Sequence, residues 1–311
     1  MKVFILGATG FIGLPVAEAF VRAGHIVYGS TRSESSAAKK LAPVEIIPVV
    51  CDPHSKEGLD KWGKIAADCD VVIDCLGATG PNDAVSAFKN FLSHVDRPKS
   101  SPKPTYIYTS GLWINARGMG GLDKWTDERQ PTSTYLEAVQ WRPLVEVPIL
   151  ESDRVHGIVI RAAVVYGKDG SLFGPYIFEP AHKASKTADK VFETFYKADT
   201  RVASIHTDDV ADLYLRVAER APICSGQVFL ASNQATERLT DILDAAVRVS
   251  GCKGYKAKEP TDPWDKAWTS TVLIKPSLGN ALTGWTPKKM SLVDGMDIYY
   301  AAWLANKELS K

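Results

Sequence analysis

Near the amino end, glycines stand at positions 7, 10 and 13 in the run Gly7-Ala8-Thr9-Gly10-Phe11-Ile12-Gly13, directly after the apolar stretch KVFIL. Gly7 lets the chain turn sharply out of a strand, Gly10 lets backbone approach a bound group closely, and Gly13 lets the next helix pack against a sheet. The start of that helix then presents unpaired amides and the positive end of its dipole. Thr9, Phe11 and Ile12 ride on the same loop. The chemistry such a loop performs is the grip of a dinucleotide pyrophosphate.

Four further places carry chemistry. The run Ser30-Thr31-Arg32-Ser33 has no carboxylate before Glu34, where an NAD-selective site keeps an acid for the ribose 2′-hydroxyl. Arg32 can instead pair with a 2′-phosphate, with the Thr31 hydroxyl in support, so NADP(H) is expected over NAD(H). Asp52 can accept from an adenine amine, or equally cap a turn. Leu76, Gly77 and Ala78 end another apolar run with small residues that let a ligand approach. Thr109 and Ser110 put two hydroxyls at the end of a fifth run, TYIYTSG.

Alternating elements are needed to hold these residues. Strand-like runs at 2–6, 25–31, 44–50, 70–75 and 105–108 alternate with helical segments near 11–23, 56–67 and 83–95. This pattern predicts an α/β chain built on a Rossmann, doubly wound parallel sheet covered on both faces. A helix from about 135 to 154, bent by Pro143 or Pro148, and a strand at 157–165 follow. The alternation then breaks, which predicts a dinucleotide-binding domain over 1–167, with 208–233 returning to it. A smaller C-terminal substrate-binding part takes 168–207 and 234–311. Trp113, Trp125, Phe173, Tyr176, Phe178 and Trp264 fall where they can line a crevice or simply pack.

Composition excludes several classes. Lys plus Arg number 37 against 36 Asp plus Glu, so neither nucleic acid nor a membrane surface is an expected partner; a small molecule is. The five cysteines are scattered without a CxxC pair, which argues against a disulfide framework or a metal site. With no secretory signal and no long apolar run, a reducing cytoplasmic setting is the default. His206 with Asp208 and Asp209 could form a metal or acid site, but Thr207 or Asp208 capping a helix, with His206 as a buttress, accounts for them better.

In order along the chain, GATGFIG, VVIDCLGA, YIYTSG, VIRAAVVYG, SIHTDDVADLY, GQVFLAS and LTGWTPKKMSLVDGM together resemble the extended or atypical short-chain dehydrogenase/reductases, the group of nucleotide-sugar epimerases and dihydroflavonol-reductase-like enzymes. The resemblance implies catalysis by a strand-end hydroxyl, here Ser110 or Thr109, with a Tyr-x-x-x-Lys helix. This chain departs there, with Ala138 at the tyrosine position and Arg142 at the lysine position. Arginine can still grip a ribose, but its pKa stays above about 12, so it is a fixed cation. Tyr135, Tyr166, or an Arg142–Glu146 pair at i,i+4 are the possible replacements. The cofactor signature, the hydroxyl pair at the strand end and the aromatic-rich crevice together point to an NADPH-dependent reductase of a small carbonyl compound, with an aromatic substrate as one option. The alternatives are an NADP(H)-sensing regulator, similar to the nitrogen-metabolite-repression proteins, or a nucleotide-sugar epimerase or dehydratase.

Overall fold

In a computed structural model, residues 1–77, 80–98, 100–116, 125–130, 136–169 and 172–309 are described. Seven strands make the central sheet: β1 (Lys2–Leu6), β2 (Ile26–Thr31), β3 (Ile47–Val50), β4 (Val71–Asp74), β5 (Thr105–Gly111), β6 (His156–Ala162) and β7 (Val228–Ala231). Every pairing is parallel and the spatial order is β7-β6-β5-β4-β1-β2-β3. The order reverses between β1 and β4, the kind of switch point where ligands bind in such sheets.

Strand alternation decides which helix each face meets. Val3 and Ile5 of β1 join Ile107 and Ile160 in one core under α1 (Gly13–Arg22). Phe4 and Leu6 join Tyr106 and Tyr108 in another, under α2 (Lys56–Ala67), α3 (Pro81–His94) and α4 (Pro143–Leu150). Both faces are apolar because both are covered, as a parallel sheet requires.

Helix α4 is much shorter than the helix expected over 135–154. Pro143 occupies its first turn, where a missing amide costs nothing, and only a 3₁₀ turn, Glu137–Val139, precedes it among the described residues. The expected strand at 157–165 is also two pieces. β6 ends at Ala162, and Val164–Tyr166 pairs instead with Ser204–His206. That switch carries the chain out of the main sheet.

A second core gathers Tyr166, Phe173, Phe178, Leu239, Trp268 and Trp303. Helix α5 (Thr207–Glu219) ties it to the sheet. The Asp209 carboxylate accepts from the amides of Lys288 and Lys289, and Trp285 Nε1 donates to the Asp209 carbonyl. His206, rather than Thr207 or Asp208, caps α5: its Nδ1 accepts from the Asp208 amide at 3.1 Å. Its ring packs edge-on against Tyr166, 5.4 Å between centroids. Among the described residues no helix is long and apolar enough to cross a membrane.

Burial lowers the His206 pKa to about 4 from 6.5, with Asp208 opposing and Lys289 and Lys168 adding to the drop. Since the unfolded chain takes up this proton first, the contribution is complete above pH 6.5 and is lost as pH falls toward 4. The loss amounts to ~3 kcal/mol. Urea unfolding at several pH values checks it: His206→Asn keeps a capping acceptor and should flatten the acid slope over that window. An unchanged slope would remove His206 as its source.

Candidate functional site

The loop between β1 and α1 has the shape its glycines predict. Gly7 sits at φ +74°, and a Cβ there would stand 2.7 Å from the Cys75 carbonyl oxygen of the next strand end. A Cβ on Gly13 would lie 2.2 Å from the Gly7 carbonyl oxygen, so loop and helix touch through bare backbone. The Gly7 amide donates to Ser30 Oγ at 3.0 Å, which fixes the loop against β2. No side chain caps α1 and no acid lies in its first turn. Gly10 and Thr9 are accessible at the bend. An uncapped, acid-free helix start behind close-packed glycines fits a dinucleotide pyrophosphate.

Neighbouring strand ends frame this cradle. Thr31 is buried at the end of β2, and its Oγ1 accepts from the Ser33 amide. Arg32 is exposed and has no ion pair among the described residues. Asp52 is exposed after β3, with Oδ1 accepting from the His54 amide at 3.1 Å, so at least one of its oxygens serves the turn before α2. Leu76 and Gly77 follow β4, Gly77 at φ +64° with open space where a Cβ would be. Ala78 and Tyr135 lie outside the described residues.

From the cradle a cleft of about 340 Å³ runs along the carboxyl ends of β5 and β6. Phe11 and Ile12 of the loop form its near end; Thr109, Ser110 and Arg142 form its polar base. The rest is apolar, with Trp113 and Trp264 facing each other 5.7 Å apart. Trp264 is held on α6 (Pro263–Trp268), whose cap Asp262 accepts from the Trp264 amide at 2.8 Å. Phe173, Tyr176 and Phe178 are packed at the second core instead, and Trp125 is exposed.

Sheet register explains the polar base. Ser110 of β5 stands beside Arg161 of β6, on the face that meets α4. There Glu146, 2% exposed, takes the Ser110 hydroxyl at 2.5 Å and Arg161 through two bonds, Nε at 3.2 Å and Nη2 at 2.5 Å. Arg161 Nη1 also donates to Asn115 Oδ1. The Arg142–Glu146 pair, one of three replacements open from the sequence, is therefore corrected: the carboxylate buried against the sheet pairs with the buried cation of Arg161 beside it. Arg161 was missed, although a lone arginine inside VIRAAVVY is itself a signal, because a buried cation needs an acid.

Arg142 is left differently placed. Its Nη1 donates to Ser110 Oγ at a long 3.4 Å, and its buried Nε has no partner among the described residues. Burial holds the Tyr108 phenol above its usual range, against the pull of the nearby Arg142 charge. On the opposite face, Thr109 accepts from the Tyr214 hydroxyl at 2.7 Å and donates to Cys75 Sγ at 3.4 Å. Burial pushes the Cys75 thiol up to about 12, so it stays protonated. Tyr166 does not reach the cleft. It is fully buried, and its hydroxyl donates to the Met290 carbonyl at 2.6 Å, so packing replaces the proton-transfer role considered for it.

The sequence profile of the NAD dependent epimerase/dehydratase family matches residues 3–94. An uncharacterized protein of Saccharomyces cerevisiae is 30% identical over 244 residues, covering 74% of each chain. The decarboxylating sterol-4-alpha-carboxylate 3-dehydrogenase of Dictyostelium discoideum is 36% identical over 183 residues, 53% of this chain and 54% of that one. Among solved structures, UDP-glucuronic acid 4-epimerase from Bacillus cereus, in complex with UDP-glucuronic acid and NAD, superposes with a TM-score of 0.75 at 16% identity. That match covers 98% of this chain and all 100% of the other. The chain belongs to the NAD-dependent epimerase/dehydratase family.

Removing either partner of the buried pair should be costly. Arg161→Met or Glu146→Gln alone is expected to lose about 3–5 kcal/mol in urea unfolding, and the double variant markedly less than the sum of the singles. Single losses below about 1 kcal/mol would mean that the pair is not what holds α4 to the sheet.

Proposed function

We propose that this chain is an NADP(H)-dependent oxidoreductase that reduces a small carbonyl compound. One observation carries the reading: Phe11 and Ile12 belong both to the phosphate loop and to the cleft that ends at Thr109, Ser110 and Arg142. A dinucleotide gripped by Gly7, Gly10 and Gly13 therefore has its nicotinamide end directed at a polar base inside apolar walls. When bound, the nicotinamide supplies or accepts a hydride, and the chain supplies grip, orientation and exclusion of water. Arg32, exposed and without an ion pair among the described residues, supports NADP(H) through its affinity for a 2′-phosphate. The dehydrogenase name of the Dictyostelium relative supports the redox class. Five free cysteines agree with a reducing, cytoplasmic setting.

An epimerase or dehydratase is the second reading, favoured by the family profile and by the nucleotide-sugar epimerase of like fold. Titration of intrinsic tryptophan fluorescence separates the two. NADPH is expected to bind at least about tenfold tighter than NADH, and Arg32→Ser to bring the two within about threefold. NADPH should then be oxidised in the presence of one member of a panel of small aldehydes and ketones. Tight NAD that copurifies would overturn this reading in favour of the second. Tight NADPH binding without any turnover would instead assign a binding or sensing protein.

A further inference from the structure

The charges around the cleft do not cancel. Glu146 is neutralised by Arg161 behind the wall, at 2.5 Å with both side chains under one-tenth exposed. Among the described lining residues Arg142 is then the sole charged group, and it has no carboxylate partner. A guanidinium presents five N–H donors. Here one makes a 3.4 Å bond to Ser110 Oγ, another meets the Tyr108 hydroxyl, the guanidinium lies 5.0 Å from the centre of the Trp141 ring, and among the described residues the buried Nε donor has no partner. Ser110 does not supply a competing donor, because its own proton is directed at Glu146. Thr109 spends its proton on Cys75. The base of the cleft is thus a cation with spare donors, and the walls above it are Trp113, Trp264, Leu172 and Val272.

Resting on the reading of the cleft as the site of carbonyl reduction, we propose that the substrate is a small, flat, apolar carboxylate that carries its reducible aldehyde or ketone apart from the carboxylate. Its carboxylate pairs with Arg142 and its body lies against Trp113 and Trp264. The neutral ribose hydroxyls of a cofactor can hydrogen-bond a guanidinium but cannot neutralise it, so a formal anion is the missing complement. A carboxylate matches the fork of donors two at a time. Size agrees as well: about 340 Å³ is at the low end for a ligand site, and it must also admit the nicotinamide end. A nucleoside diphosphate sugar is disfavoured, because its pyrophosphate would meet a single cation among apolar side chains.

Equilibrium binding tests this without turnover. Calorimetry compares trans-cinnamate with its uncharged amide on the NADP-saturated protein. The acid is expected to bind at least about tenfold tighter than the amide. Arg142→Met should bring the two together, whereas Arg142→Lys should keep part of the preference. Trp264→Leu should weaken both ligands by a similar factor, and a thermal melt establishes that each variant is folded. Equal affinities in the unaltered protein, or a preference that survives Arg142→Met, overturn the proposal, and so does binding of neither ligand. Those results leave the dinucleotide reading standing, since NADP binding is measured first in the same samples; failure of NADP itself to bind overturns that reading instead.

Discussion

Arg161 lies near the carboxyl end of β6, one strand in from the edge of the parallel sheet, where its neighbours Ile158, Val159 and Ile160 are fully buried. A cation there is tolerable only with an anion in contact and its remaining donors filled. Glu146 and Asn115 meet both conditions. The requirement then propagates. Glu146 must face the sheet, which sets the rotation of α4, and α4 in turn carries Arg142 at its start. The carboxylate's remaining capacity draws the Ser110 proton inward. One buried ion pair therefore decides the orientation of a helix, the polarity of a hydroxyl and the position of a second arginine.

The cradle is built on a different principle, close approach of backbone to backbone. Side chains at Gly7 or Gly13 would overlap carbonyl oxygens, so neither position tolerates a Cβ without moving a strand end or the helix. Thr207 Oγ1 also donates to the Phe11 carbonyl, which joins the loop to the start of α5. Loop, sheet and second core are thus connected through backbone atoms, and the cleft inherits its near wall from that connection.

Much of this was legible in the sequence because it is local. Glycine spacing after an apolar strand, and strands alternating with helices, are properties of short windows. They gave the parallel sheet and the cradle, with shifts of a few residues at element ends. Pairings between distant segments were not legible. Helical spacing pointed Glu146 at Arg142, four residues away, whereas strand register brings Arg161 to it from the sheet. Tyr166 read as a cleft residue because it follows the sixth strand. The break at Ala163 instead sends Val164–Tyr166 to pair with Ser204–His206, and the phenol turns into the second core. Tertiary contacts decided both cases, and no single window of residues contains them.

That break has a consequence for the cleft. Ala162, Ala163, Val164 and Val165 line it while the chain passes from the main sheet to the small one, so their small side chains leave the volume that an unbroken strand under larger residues would fill. Ala203 and Val272 close the same side from the second part, where the Val272 amide donates to the Arg201 carbonyl. The polar base is fixed by the sheet and the apolar wall by the second part. The two sets of residues meet across joins such as Asp209 with Lys288 and Lys289. Changes in the second part can therefore reshape what the cleft accepts while the dinucleotide cradle and the buried ion pair stay as they are, which is how one scaffold can keep its cofactor chemistry and vary its substrates.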